Sequence, residues 1–290
     1  MKLVKNTASI ILAVLLALAS AFAQRPASPA DNAALRYWAA FSQIQDSGIS
    51  DQDAKELNAA LETMGPFDIS KYKDLVQKNT LALQVMARGT SLPTCDWGLD
   101  YALGDDVPVD YARKALVLGR LNILHVMILY HSGDKDGAVH ALAAGLRFSH
   151  DVANGGSLFA TLVAKDLLVT HLSATIDGLR MGQLSASQRS ELQNAIAALG
   201  DGFDWPGAAK RDLEALRTHY AADPRASAAL DRIVGSYSAF LQDQTKLPML
   251  TDAIGNAPQE LANLIPNPKR VLEQKQDLSD KLSQARALLQ

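Results

Sequence analysis

One predicted helix is apolar on nearly every side. The run ALVLGRLNILHVMILY, residues 115–130, follows Pro108, a residue that suits the first turn of a helix. Helices with apolar side chains all round lie inside a protein rather than at its surface. Arg120 and His125 interrupt the run, which is too short to span a membrane. Any fold of this chain must therefore bury this helix.

The remainder of the chain also has the composition and spacing of helices. Ser185 and Gln188 match a capping box, and the segments 68–88 and 249–265 each predict a single helix. No segment alternates Val, Ile and Thr between hairpin turns, so we expect no sheet. The sequence predicts an all-α fold of antiparallel helical hairpins, arranged as a tetratricopeptide-like array, an irregular α-solenoid or a bundle.

The N-terminus, MKLVKNTASIILAVLLALASAFAQ, has the three parts of a secretory signal peptide. Two lysines precede the apolar run 8–19, and Ala21-Phe22-Ala23 supplies a small-residue cleavage site. We expect residues 1–23 to be removed and residues 24–30 to form a flexible arm. The mature protein would then be exported by the general secretory route, to the periplasm or the outside. A retained membrane anchor is the alternative, but the apolar run is short for a membrane span.

The charge balance limits the class of partner. Without the two lysines of the signal peptide, 26 basic and 31 acidic residues give a net charge of −5. Such a protein is not expected to bind nucleic acid or an anionic membrane surface. The length and the 48% apolar fraction suit one large domain or two small ones. We predict a helical body over 31–183, with a loop at 89–108, followed by further helices over 184–290.

One hairpin has the pattern of a tetratricopeptide unit. The predicted helices 109–131 and 136–150 are joined by a turn at Gly133 and Asp134. The positions that pack closely in such a unit are occupied by Ala138, Leu142 and Gly145. Asn122 and His125 depart from the repeat, and no second unit follows at the expected spacing of about 34 residues. The sequence therefore contains one such hairpin rather than a clear array.

The segment CDWGLDYALGDDVPVD, Cys95 to Asp110, differs from the helical pattern. It holds the only cysteine, one of three tryptophans and five aspartates. A lone cysteine forms no intramolecular disulfide, and an exposed thiol in an exported protein would be prone to oxidation. The nearest bases, Arg88 and Arg113, are too distant in sequence to activate Cys95 locally. We therefore expect Cys95 to be buried.

Two hypotheses remain open for this segment. In the structural one, Trp97 anchors the loop to the core, Gly98 permits a bend, and the aspartates accept hydrogen bonds from nearby backbone N–H groups. In the catalytic one, Asp96 and Asp100 are the paired carboxylates of a glycoside hydrolase, and Trp97 and Tyr101 stack on sugar rings. The structural hypothesis is favoured because loops commonly use short aspartates in this way.

No motif of known catalytic or cofactor chemistry accompanies the segment. The sequence has no H-E-x-x-H, G-x-S-x-G, Walker or G-x-G-x-x-G motif. Ser70 and Lys73 match S-x-x-K without its partner motifs, so Ser70 is better explained as a helix cap. Asp105, Asp106 and Asp110 offer oxygen ligands, but their spacing does not match a calcium loop. We expect no cofactor and no metal.

A family resemblance rests on three features in order: CDWGLDY, the Pro-led helix, and GDKDGAVHALAAGLRFSHDV. Together they resemble a group of uncharacterised exported bacterial helical proteins. The resemblance covers roughly residues 32–200, and CDWGLDY is its most specific part. It implies a signal peptide and a tetratricopeptide-like body. The group has no known activity, so it implies no catalytic residues.

The sequence therefore favours an exported scaffold or binding protein with an unknown protein or peptide partner on a concave face between helices. A carbohydrate-active hydrolase is the alternative. The C-terminal helix, 269–289, carries an apolar stripe with heptad spacing, which suits docking onto the body or a coiled-coil dimer. Docking is favoured because Lys275 and Ala285 weaken the seam.

Overall fold

The computed structural model describes residues 29–45, 48–63, 68–181 and 184–290. Helices α1 to α13 are, in chain order, Ala33–Ser42, Asp51–Thr63, Lys73–Lys78, Thr80–Thr90, Asp110–His131, Lys135–Ala153, Leu158–Arg180, Ala186–Ala197, Trp205–His219, Pro224–Gln242, Leu247–Gly255, Gln259–Leu264 and Pro268–Leu289. No strand occurs in the described residues, which confirms the all-α fold. The predicted signal peptide and residues 24–28 of the predicted arm lie outside them.

Helices α5, α6 and α7 form the centre of the fold. The short turn at 132–134 joins α5 to α6 as an antiparallel hairpin, and α7 contacts both. In α5, Leu118, Leu121 and Leu124 are at most 1% exposed, as expected for a helix that is apolar all round. By length and composition α7 is apolar enough to cross a membrane, but most of its apolar window is buried inside the fold.

The α5–α6 hairpin depends on two glycines and one capping aspartate. Gly133 has a φ of 88°, in the left-handed region that favours glycine. Asp134 caps α6 by accepting a hydrogen bond from the N–H of Gly137 at 2.9 Å. A Cβ atom at Gly145 would lie 2.2 Å from Nε2 of His171, so a larger residue there would force the helices apart. The wider tetratricopeptide-like arrangement remains a prediction.

Two predicted helices are interrupted. The segment 68–88 breaks at Asn79, between α3 and α4. Asn79 is fully buried: its Nδ2 donates to a carbonyl one turn earlier at 2.9 Å, and its Oδ1 accepts from the N–H of Gln45 at 3.0 Å. The segment 249–265 divides into α11 and α12 because Pro258 has no N–H with which to continue a helix. The predicted capping box at the start of α8 is confirmed.

The C-terminal helix, α13, packs against α7 and α8. The members of its apolar stripe that are buried are Val271, Leu278, Leu282 and Ala285. At the same contact, Nζ of Lys165 on α7 lies 2.5 Å from Oδ2 of Asp277. The prediction that this helix docks onto the body is therefore confirmed.

Two clusters of buried apolar side chains fill the fold. The first is built mainly from α1 to α6, and the second mainly from α7 to α13. Helix α6 contributes Leu142 to the first and Leu146 to the second, and α7 likewise contributes Ala164 and Leu168. The two clusters therefore meet at α6 and α7, which lie inside the predicted N-terminal body.

Candidate functional site

The Trp97 loop, residues 91–109, connects α4 to α5. Cys95 and Trp97 are 6% and 8% exposed, so the predicted burial of both is confirmed. The Trp97 ring stacks on Tyr111 with ring centroids 4.2 Å apart. Its Nε1–H donates to the carbonyl of Asp151 at 2.9 Å. The indole therefore fills space between helices and has its one polar group satisfied.

Asp96 and Asp100 bond the backbone of their own loop. Oδ1 of Asp96 accepts from the N–H of Gly98 at 2.9 Å, and the φ of 65° at Gly98 provides the predicted bend. Oδ1 of Asp100 accepts from the N–H of Ala102 at 3.0 Å. That bond caps a 3-10 helix, Tyr101–Asp106, which lies inside the segment predicted to be a loop. The backbone bonding expected for these aspartates is confirmed.

Further hydrogen bonds hold the Trp97 loop on the body. The side-chain amide of Asn32 exchanges two bonds with the backbone of Asp96, at 2.8 and 2.9 Å. The Tyr101 hydroxyl donates to the carbonyl of Gly155 at 3.1 Å. Both ends of the segment that carries Trp97 are thus fixed to neighbouring elements.

The Trp97 loop offers neither a reactive thiol nor a metal site among the described residues. Burial raises the pKa of the Cys95 thiol, and the nearby Asp151 charge raises it further, so the thiol stays protonated. Asp110 is exposed and lies 3.9 Å from Arg113, while the side chains of Asp105 and Asp106 fall outside what the structure describes. No group of three His, Cys, Asp or Glu residues in the described part could hold a metal ion.

Asp151 lies beneath the Trp97 loop and was not identified from the sequence. It is 2% exposed, and its Oδ2 accepts from the Tyr37 hydroxyl at 2.6 Å. Nε of Arg147 lies 2.9 Å from its Oδ1. Burial raises the pKa of this carboxyl, while Tyr37 and Arg147 oppose the rise. The i,i+4 spacing of Arg147 and Asp151 was the available sequence signal.

A buried polar cluster joins the three central helices. His171 of α7 is fully buried, with Nδ1 2.7 Å from the carbonyl of Leu167 and Nε2 3.2 Å from Nδ2 of Asn122. These partners assign the proton to Nδ1, which leaves Nε2 to accept from the amide. Complete burial lowers the pKa of His171 to about 4. Asn122, which departs from the repeat pattern, is thus explained by this contact.

A cavity of about 600 Å³ lies at the opposite end of the α5–α6 hairpin from the Trp97 loop. We call it the α5–α8 cavity, because α5, α6, α7 and α8 supply most of its lining. Its apolar wall is formed by Ala60, Val126, Met127, Ala138, Val139, Leu142, Ala174, Met181, Leu184 and Leu192. None of the site residues predicted from the sequence lines it.

Asp177 of α7 is the one buried carboxylate in the described lining of this cavity. It is 8% exposed and has no hydrogen bond or ion pair with any described residue. Burial raises the pKa of its carboxyl, while the positive charges of Arg180 and Lys281 oppose the rise. Among the described residues, the fully buried side-chain atoms without a hydrogen-bond partner include Nε of Arg147 and neither oxygen of Asp177, so this carboxylate borders the cavity rather than being enclosed in the core.

No protein-family model, curated protein or solved structure matches this chain.

Proposed function

We propose that this protein is an exported helical binding protein whose ligand occupies the α5–α8 cavity. The observation that carries the proposal is a concave site of about 600 Å³ with an apolar wall and a buried carboxylate, Asp177, that has no partner among the described residues. Small-molecule sites have volumes of about 300–1,000 Å³, apolar linings and a few convergent polar groups. The cavity has such a volume and an apolar lining, and Asp177 is the polar group in the described lining that is available to a ligand.

Export is supported by the predicted signal peptide, and a binding role is supported by the α5–α6 hairpin. The resemblance to exported bacterial helical proteins points the same way. Helical hairpins of this type present concave surfaces to their partners. The binding side chains in this proposal come from rigid helices, which hold them in place before the ligand arrives.

The hydrolase alternative has no comparable support. The carboxylates of Asp96 and Asp100 each accept a hydrogen bond from their own loop. The ring of Trp97 is packed against Tyr111 and is not open to a sugar. The Trp97 ring, one of the two stacking faces that this alternative requires, is therefore packed inside the fold, and Asp96 and Asp100 already bond the backbone of their own loop.

A pair of helical glycines tests the proposal. Gly178 lines the α5–α8 cavity, and a Cβ atom built on it meets no atom of the described residues within 4 Å. Gly235 of α10 is equally open but lies outside the described cavity lining. Gly178→Leu should fill part of the cavity and weaken binding of an uncharged environment-sensitive dye by about tenfold or more, through lost space for apolar contact. Gly235→Leu should leave the dye affinity unchanged.

Equal dye affinity in wild type and Gly178→Leu would place the binding site elsewhere. Circular dichroism of both variants checks that the helices are intact. Since leucine is a better helix former than glycine, neither substitution is expected to weaken its helix.

A further inference from the structure

We propose that the α5–α8 cavity takes a small amphipathic cation, meaning a compound with an aliphatic body and a protonated amine, and that Asp177 is the counter-ion of the amine. This inference rests on the proposed function, because it assumes that the cavity is the binding site. It adds the chemical class of the ligand and the residue that selects it.

The two carboxylates that are more than nine-tenths buried in the described chain have different surroundings. Asp151 contacts the Tyr37 hydroxyl and the Arg147 guanidinium. Asp177 has neither a donor nor a cation within bonding distance among the described residues, although it lines a cavity with room for one. Because Asp177 borders the cavity and has no partner among the described residues, a cationic group bound in the cavity can pair with it.

Other polar side chains of the cavity are already engaged. The Thr175 hydroxyl donates to a carbonyl one turn earlier at 2.9 Å. Nδ1 of His131 lies 2.8 Å from the carbonyl one turn before it. Asp68 accepts from the backbone N–H of Ser70 at 3.1 Å. Among the described residues of the lining, Asp177 is thus the charged group without a hydrogen-bond or ion-pair partner, and Asp68 adds a second negative charge.

The negative charge of the cavity discriminates between fatty acids, neutral chains and amines as ligands. A fatty acid would bring its carboxylate towards Asp177 and Asp68, which is unfavourable in a site of low polarity. The positive charges of Arg180 and Lys281 act on Asp177 from outside the described lining and offset part of this repulsion. A neutral chain would leave Asp177 without a partner. An ammonium group satisfies the carboxylate with a charge-assisted hydrogen bond, while its chain lies against the aliphatic wall.

The lining and the volume favour a small flexible chain as the body of the ligand. Met127 and Met181 are adaptable side chains that fit irregular apolar shapes. The remaining wall is aliphatic, formed by residues such as Val139, Leu142 and Leu192. A space of 600 Å³ suits a small molecule rather than a folded partner.

Three ligands of equal chain length test the inference: n-octylamine, n-octanol and n-octanoate. Each is titrated, below its micelle-forming concentration and at pH 7.5, against the dye-loaded full-length mature protein. We expect the amine to displace the dye at a concentration about tenfold or more below that of the alcohol, since hydrogen bonds to charged groups are the strong ones. The carboxylate should be the weakest competitor.

Asp177→Asn keeps the shape of the side chain and removes its charge. In this variant the amine should lose its advantage over the alcohol, while the alcohol binds as before. Asp252→Asn, an exposed site on α11, makes the same change in net charge and should leave the order of the three ligands unaltered.

The outcomes separate this inference from the proposed function. If dye and alcohol bind in the cavity but the amine has no advantage that Asp177→Asn removes, the amine claim is wrong and the binding function stands. If neither the dye nor any of the three ligands binds in a manner sensitive to Gly178→Leu, the proposed function itself is wrong.

Discussion

The regions at the two ends of the α5–α6 hairpin each contain a buried carboxylate, and they treat it differently. Asp151 lies beneath the Trp97 loop with a hydroxyl at 2.6 Å and a guanidinium at 2.9 Å. Asp177 lies in the wall of the α5–α8 cavity and has no such partner among the described residues. Burial raises the pKa of both groups. A carboxylate that the fold has already paired serves stability, whereas one left unpaired beside an open cavity is available to a ligand.

The Trp97 loop, which is conspicuous in the sequence, and the α5–α8 cavity, which is not, therefore have opposite roles. The Trp97 loop concentrates unusual residues, and its described polar groups are engaged with the protein itself. The cavity is lined mostly by ordinary helical residues, and it holds a carboxylate without a partner among the described residues. Substitutions in the two regions should therefore separate cleanly into effects on stability and effects on binding.

Removal of the indole should have the largest effect. Trp97→Ala empties a large aromatic site and removes the donor to Asp151, so we expect a loss of roughly 3–5 kcal/mol in the free energy of unfolding. Trp97→Phe keeps much of the stacking on Tyr111 and should lose less. Urea denaturation of wild type, Trp97→Ala and Trp97→Phe measures the loss in the free energy of unfolding for each variant. An unchanged midpoint for Trp97→Ala would mean that the loop is not an anchor.

Substitution of the paired carboxylate, Asp151, should cause the second-largest loss in the free energy of unfolding. Asp151→Asn separates Arg147 from its counter-charge, and removal of one partner of a buried ion pair costs about 3–5 kcal/mol. Because the Arg147 side chain is 33% exposed, and because burial raises the pKa of Asp151 so that its ionised form carries a desolvation cost that asparagine lacks, we expect a smaller loss of about 2 kcal/mol. Urea denaturation at pH 7.5 gives the value. A loss below about 1 kcal/mol would mean that the Asp151–Arg147 pair contributes no more than an exposed salt bridge does.

His171 lies between the two regions. The pH dependence that it gives to the free energy of unfolding reports how well the core excludes water. Its folded-state pKa, about 4, is below the unfolded value, so the unfolded chain binds the proton first as the pH falls. Its contribution to stability is therefore complete above about pH 6.5 and decreases towards pH 4, by about 2 kcal/mol between pH 7 and pH 5.

The control for this pH effect is His171→Gln, which cannot titrate. Buried carboxyl groups with raised pKa values stabilise the fold as the pH falls, so the slope of wild type alone is a sum of opposing effects. The difference between wild type and His171→Gln isolates the histidine. Parallel stability curves for the two proteins from pH 7 to pH 5 would show that His171 is hydrated.

The loop aspartates should have smaller effects. Asp100 caps a single 3-10 turn, and loss of such a cap costs about 1 kcal/mol. We expect Asp100→Ala to lower the free energy of unfolding by about that amount and to leave dye binding unchanged, while Asp100→Asn should retain most of the stability. A loss of ligand binding in either variant would link the Trp97 loop to the site.

The sequence predicted the features that depend on local chemistry. Helix periodicity, the capping box at Ser185, and the bend at Gly98 with its acceptor Asp96 all follow from residues close together in the chain. The break at Asn79 did not, because it depends on a hydrogen bond to Gln45, in a separate element. Propensity alone cannot anticipate such a tertiary contact.

The cavity could not be predicted for the same reason. Its lining runs from Ala60 to Leu192 and draws on α2 and on α5 to α8, none of which carries an unusual motif there. In the sequence, Asp177 is one acid near the end of an apolar helix, and such a residue is expected to be exposed. Its burial depends on how α7 packs, which is a property of the assembled fold.

The most direct test of the contrast is the stability of Asp177→Asn, measured by urea denaturation at pH 8 beside wild type. Because the folded-state pKa of Asp177 is raised, its ionised form lowers stability at high pH, and this penalty fades as the pH falls and the group is protonated. We expect Asp177→Asn to unfold at the same urea concentration as wild type or a higher one at pH 8, with the difference shrinking towards pH 4. A loss of about 1 kcal/mol or more at pH 8 would show that Asp177 is paired within the fold, and would contradict its assignment to a ligand.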